Sequence, residues 1–128
     1  MSSEIPAELK FAESHEWLRV EGDVATVGIS DHAQQELTDI VYVELPEVGA
    51  VFSAKDECAT VESVKTASPI YAPAGGEVIE INPDLDAEPG KVNSEPYTGG
   101  WFFKLRLSNP EDAAGLLDAE HYKAQISA

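Results

Sequence analysis

Trp101-Phe102-Phe103-Lys104-Leu105-Arg106-Leu107 carries the clearest alternation in the chain: Trp101, Phe103, Leu105 and Leu107 read inward, Lys104 and Arg106 outward. A period of two belongs to a half-buried strand, whereas a helix repeats near 3.6. The same reading extends outward from this segment. Pro73-Ala74-Gly75-Gly76 turns the chain into a strand from Glu77 to Ile81. Cys58 to Val64 and Ile70 to Ala72 read as two strands around a polar tip. Ile40 to Leu45 is another, with Val41, Val43 and Leu45 on one side and Pro46 as its end. Trp17 to Val20 and Val24 to Ile29 flank Glu21-Gly22-Asp23 as a hairpin, in which Ala25, Val27 and Ile29 share a face. Helices are confined to two places. His32 to Leu37 forms a short insertion with Ser30 as N-cap. In the tail, Ser108-Asn109-Pro110-Glu111 has capping-box spacing, and Asp118 caps a second helix through Gln125. The longest loop, Asn82 to Gly100, is expected to be functional or packed across a face. This order predicts a mainly β chain, an antiparallel sandwich or flattened barrel with a short inserted helix and C-terminal helices.

The 128 residues predict a single domain, 1–128, large enough to need no disulfide or metal staple. With 24 Asp and Glu against 8 Lys and Arg, the net charge is −16. Such a field repels nucleic-acid backbones and anionic membranes and favours partners with basic faces. Weak, salt-sensitive encounters are expected. The one cysteine, Cys58, lies in an apolar-leaning stretch and reads as a buried structural thiol. No apolar run approaches the ~18 residues of a membrane span. Met1 to Glu8 has two acids and no base, so neither a secretory signal nor a transit peptide is expected, and the location implied is cytoplasmic.

Catalytic constellations are missing from the pattern. Ser14-His15-Glu16 has triad residue types, but neighbours on a strand point to opposite faces. His15, His32 and His121 lack the close spacing that presents two ligands, so no metal is expected. Phosphate loops, dinucleotide fingerprints and nucleophile elbows are absent. One local pattern remains, Val61-Glu62-Ser63-Val64-Lys65-Thr66-Ala67-Ser68, where two strand-like runs meet at a tip holding a single lysine. Its amine stands in water, and its small neighbours let another protein close over it. Those features suit a carrier lysine, and they equally suit an ordinary exposed one.

Glu62-Ser63-Val64-Lys65 resembles the lipoyl-attachment motif of the glycine cleavage system H-protein family. The resemblance runs from about Leu9 to Tyr122. It takes in Ser14-His15-Glu16-Trp17, Val27-Gly28-Ile29-Ser30-Asp31-His32-Ala33-Gln34, Val43-Glu44-Leu45-Pro46-Glu47-Val48-Gly49 and Gly76-Glu77-Val78. Val92-Asn93-Ser94-Glu95-Pro96-Tyr97, Gly100-Trp101 and Leu116-Leu117-Asp118-Ala119 complete it.

The resemblance implies a biotinyl/lipoyl-type β-sandwich with lipoic acid amide-linked to Lys65. It assigns recognition by a lipoyl or octanoyl transferase or ligase to Glu62 and Gly76. It also implies a carrier, not an enzyme, and a monomer. The arm would take the aminomethyl group of glycine from a pyridoxal-phosphate glycine decarboxylase. It would pass the one-carbon unit to a tetrahydrofolate-dependent aminomethyltransferase and be reoxidised by an FAD- and NAD-dependent dihydrolipoamide dehydrogenase. Ser14, Glu16 and His32 are implied as the cleft that shields the loaded arm from water. One departure stands out: Pro69 occupies the place of a usual acidic residue, which would weaken arm docking, and Thr66 replaces a small one. Three other readings remain open here. They are a lipoyl or biotinyl domain of another complex, a relay that passes lipoyl groups to other apoproteins, and an unmodified structural domain. Against the first, Val64 and Thr66 flank the lysine where those domains usually carry Asp or Met.

Overall fold

A computed structural model describes residues 6–127, which leaves most of the segment read for targeting signals outside it. Among the described residues, nine strands form two open antiparallel sheets. In chain order they are β1 (Lys10–Phe11), β2 (Glu16–Glu21), β3 (Val24–Ile29), β4 (Ile40–Glu44), β5 (Val51–Phe52), β6 (Glu57–Ser63), β7 (Ala67–Tyr71), β8 (Gly76–Ile81) and β9 (Phe103–Leu107). The larger sheet has the order β1-β2-β3-β9-β8-β5 and the smaller β4-β6-β7. Val27, Ile29, Val78 and Leu105 of the first sheet share one buried core with Val43, Val61 and Ile70 of the second. This is the sandwich that the alternating segments predict, and it is not a closed barrel.

The helices pack against the sheets. α1 (Asp31–Leu37) starts at Ser30, whose hydroxyl accepts from Ala33 N, and α4 (Ala119–Ser127) follows Asp118, whose carboxylate accepts from His121 N at 2.8 Å. Between them lie α2 (Asp84–Ala87), α3 (Lys91–Ser94) and a 3₁₀ turn, Pro110–Gly115. A second core forms on the outer face of β2 from Leu9, Phe11, Trp17, Tyr97 and Tyr122. Phe11 stacks on Tyr122 at 4.4 Å and meets Tyr97 edge-on, so α4 is docked by aromatic contact. Trp17 fits because its cross-strand partner is Gly28, where a Cβ would stand 2.6 Å from the indole ring.

Several expectations are corrected. Val41 is exposed while Ile40 and Val43 are buried, because an irregularity between Ile40 and Tyr42 shifts the faces of β4. Strand β9 begins only at Phe103: Phe102 is wholly buried, and Trp101 lies half-buried outside the ladder beneath the Lys104 ammonium. β7 starts three residues earlier than read and contains Pro69. The cap of the 3₁₀ turn is Asn109, not Ser108. Asn82 to Gly100 does pack across a face and holds α2 and α3, with Leu85, Val92 and Tyr97 buried. Asn82 clips its two ends by donating to the Gly99 and Trp101 carbonyls at 2.8 Å. Asn93 fastens it to the start of β4, accepting from Ile40 N at 2.8 Å.

Candidate functional site

Lys65 stands at the tip of the β6–β7 hairpin, between Ser63 and Ala67. The strands pair Val61 with Ser68 and Glu62 with Ala67, leaving the four residues Ser63 to Thr66 to cross over. Ser63 closes the crossing from its own backbone and side chain. Its N–H donates to the Thr66 carbonyl at 2.8 Å, and its hydroxyl accepts from Lys65 N at 3.3 Å and Thr66 N at 3.2 Å. Val64 N donates to the Asp39 carbonyl at 3.0 Å, which pins the tip to the start of β4. Every tip N–H is thus paired, so the backbone is held while the lysine side chain stays exposed. Among the described residues none of the ion pairs involves Lys65. Its chain neighbour Val64 is exposed, as are Val41 and Tyr42 on β4, the strand paired with β6.

Glu62 faces solvent on β6, three residues before the lysine. Gly76 does not. It is buried in β8 between Phe52 and Leu107, where a Cβ would stand 2.4 Å from the Arg106 carbonyl oxygen. Whatever recognition depends on Gly76 acts through the sheet and not by contact.

The structure brings Ser14 and Glu16 together and leaves His32 elsewhere. A cleft of about 510 Å³ is lined by Phe11, Ser14, Lys55, Tyr71, Asp112 and Leu117, among others. Glu16 is not itself in the lining: it is 1% exposed and bonded to two residues that are, Ser14 and Tyr71. Its Oε1 accepts from the Ser14 hydroxyl and its Oε2 from Tyr71 N at 3.0 Å. Burial pushes the Glu16 carboxyl up to about 7, against the pull of those hydrogen bonds. Ser14 and His15 lie in the turn before β2 and not on the strand, so it is the turn and not strand alternation that parts His15 from Ser14 and Glu16. His15, at φ +82°, bonds Tyr122 instead, through Nδ1 at 2.7 Å. His32 lies on α1 with its ring centroid 5.1 Å from that of His15, so two histidines that chain spacing kept apart do meet.

Pro69 is accommodated by position. β7 is the outer strand of its sheet, and Tyr71 N points outward to Glu16. Two residues earlier, the missing N–H of Pro69 belongs to the same outer edge and takes nothing from the ladder. Sequence reading missed Tyr71 because its part is played by the backbone, which leaves no side-chain signal. Cys58 is buried as expected, donates to the Ile70 carbonyl at 3.3 Å, and has its thiol pushed up to about 12 by burial.

Residues 9–128 match the family model described as Glycine cleavage H-protein. A glycine cleavage system H protein from Alcanivorax borkumensis is 60% identical, covering 97% of both chains. Another, from Laribacter hongkongensis, is 57% identical over 97% of this chain and 98% of its own. The crystal structure of a glycine cleavage system H protein from Mycobacterium marinum superposes with a TM-score of 0.89 at 35% identity, covering 97% of this chain and all of the other.

Proposed function

The chain belongs to the glycine cleavage H-protein family, and we propose that it is a lipoyl carrier of that system, with lipoic acid amide-linked to Lys65. One observation carries the reading: Lys65 combines a hydrogen-bonded backbone with an exposed side chain at a hairpin tip. Its Nζ has no competing ion pair among the described residues, and small Ala67 and Ser68 follow it, so the residues present fit the group. When bound, the dithiolane supplies a disulfide that serves glycine decarboxylase, the tetrahydrofolate-dependent aminomethyltransferase and dihydrolipoamide dehydrogenase in turn.

The chain's own residues supply position. Glu62, exposed on the strand that leads to Lys65, offers a carboxylate to the attaching transferase or ligase. The cleft beside Ser14 and Tyr71 shields what it holds from water. Glu16 behind it offers a carboxylate to an alkylammonium, by a charge-assisted hydrogen bond. His32 stands apart from the cleft, and we leave it out of that role. The separation of Ser14 and Glu16 from His15 supports a carrier without a catalytic triad. The bacterial relatives support a cytoplasmic place.

Intact mass and peptide mapping of protein made in lipoate-supplied cells test this. A lipoyl-sized increment is expected on Lys65, with none on Lys10, Lys55, Lys91, Lys104 or Lys123. An unmodified Lys65 in the presence of a competent ligase overturns the reading.

A further inference from the structure

We propose that His15, His32 and Glu36 form a binding site for a divalent cation of the Zn²⁺ class, independent of the lysine and its cofactor. One potential ligand atom from each residue lies within 4.8 Å of the other two. His32 and Glu36 are four apart on α1 and share a face. His32 Nε2 and Glu36 Oε1 are 3.3 Å apart, about the ligand–ligand edge of a tetrahedron with Zn–N and Zn–O bonds near 2.0–2.2 Å. His15 enters from the segment before β2, across the gap between that segment and α1.

The third ligand is held from behind, as metal-bound imidazoles are. Tyr122 Oη lies 2.7 Å from His15 Nδ1 and 2.6 Å from the Ser30 hydroxyl, which accepts from Ala33 N. In one polarity of this relay Nδ1–H donates to Tyr122 and Tyr122 donates to Ser30. That tautomer leaves His15 Nε2 without a proton and free to coordinate. Two imidazoles and a carboxylate match the preferences of a borderline cation, and three protein ligands leave a fourth position open to water. The bound ion would join α1 to the entry of β2, two elements otherwise linked here through Ser30, His15 and Tyr122.

The test is titration of the full metal-free chain, unlipoylated, with Co²⁺ alone, read by visible absorption, followed by displacement with Zn²⁺. One saturable Co²⁺ per chain is expected, with the intense d–d bands of low coordination number. His32→Ala and Glu36→Gln, both at partly or fully exposed side chains, should each weaken binding by about tenfold or more. Tyr122→Phe should weaken it less, through loss of the hydroxyl behind His15. His121→Ala removes the other histidine, paired with Asp118 on the surface, and should leave binding unchanged. Absence of saturable binding, wild-type affinity in His32→Ala, or loss of binding in His121→Ala would each overturn the site.

Discussion

Glu62 and Gly76 are paired by the family resemblance, and their surroundings separate them. A methyl group at Gly76 would press on the Arg106 carbonyl of β9, which is backbone and cannot swing away. Gly76→Ala is therefore expected to destabilise the fold by about 2–3 kcal/mol, with lipoylation falling only as the folded fraction falls. Glu62→Gln, on an exposed face, should change stability by less than about 0.5 kcal/mol yet slow lipoylation at Lys65. Thermal melts beside mass-monitored lipoylation separate the two, and a wild-type rate for Glu62→Gln would remove its direct role. Lys65 was legible as an exposed lysine where two strand-like runs meet, whereas Glu62 was picked out only through the family resemblance. Gly76 was legible only as a family position. The reason for it lies in β9, some thirty residues further along the chain.

Between elements, Glu16 links β2 to the outer edge of β7. Its folded carboxyl titrates near 7 against an ordinary value of 4.5, so the native state keeps a proton that the unfolded chain releases. The stability this group contributes is whole below about pH 4.5 and is lost as pH rises through about 7, by up to about 3 kcal/mol. Glu16→Gln keeps an acceptor for Tyr71 N and cannot titrate. Denaturant unfolding should then show little difference from wild type at pH 5 and about 2–3 kcal/mol more stability at pH 8. An unchanged pH slope in the variant would place the titration elsewhere. At this scale the strands were readable from alternation, while their faces and limits were not always so. The irregularity after Ile40 turns Val41 outward, and Pro69 sits inside β7 because that strand is an edge. Both are decided by pairing partners, which a periodicity cannot see. The same holds for His15 and His32, joined by the fold and not by spacing.

Across the whole molecule, a net charge of −16 on 128 residues dominates encounters at long range. If the partners proposed above present basic faces, exchange with them should slow by about tenfold between ~10 mM and ~0.3 M salt; salt-independent kinetics would argue against electrostatic steering. The sandwich and the acidic surface were both foreseeable, since composition and alternation report them directly. The second core around Trp17 was not, because it assembles Leu9, Phe11, Tyr97 and Tyr122 from distant parts of the chain. Cys58, the only cysteine, has a further consequence if Lys65 carries the disulfide proposed above. With its thiol pushed up to about 12 by burial and shut inside the core, Cys58 stays a thiol at neutral pH. A dithiolane on Lys65 would then meet no exposed scaffold thiol to capture its opened ring in a dead-end mixed disulfide. For the same reason, an alkylating reagent applied to the native, reduced holoprotein labels the arm and leaves the scaffold untouched.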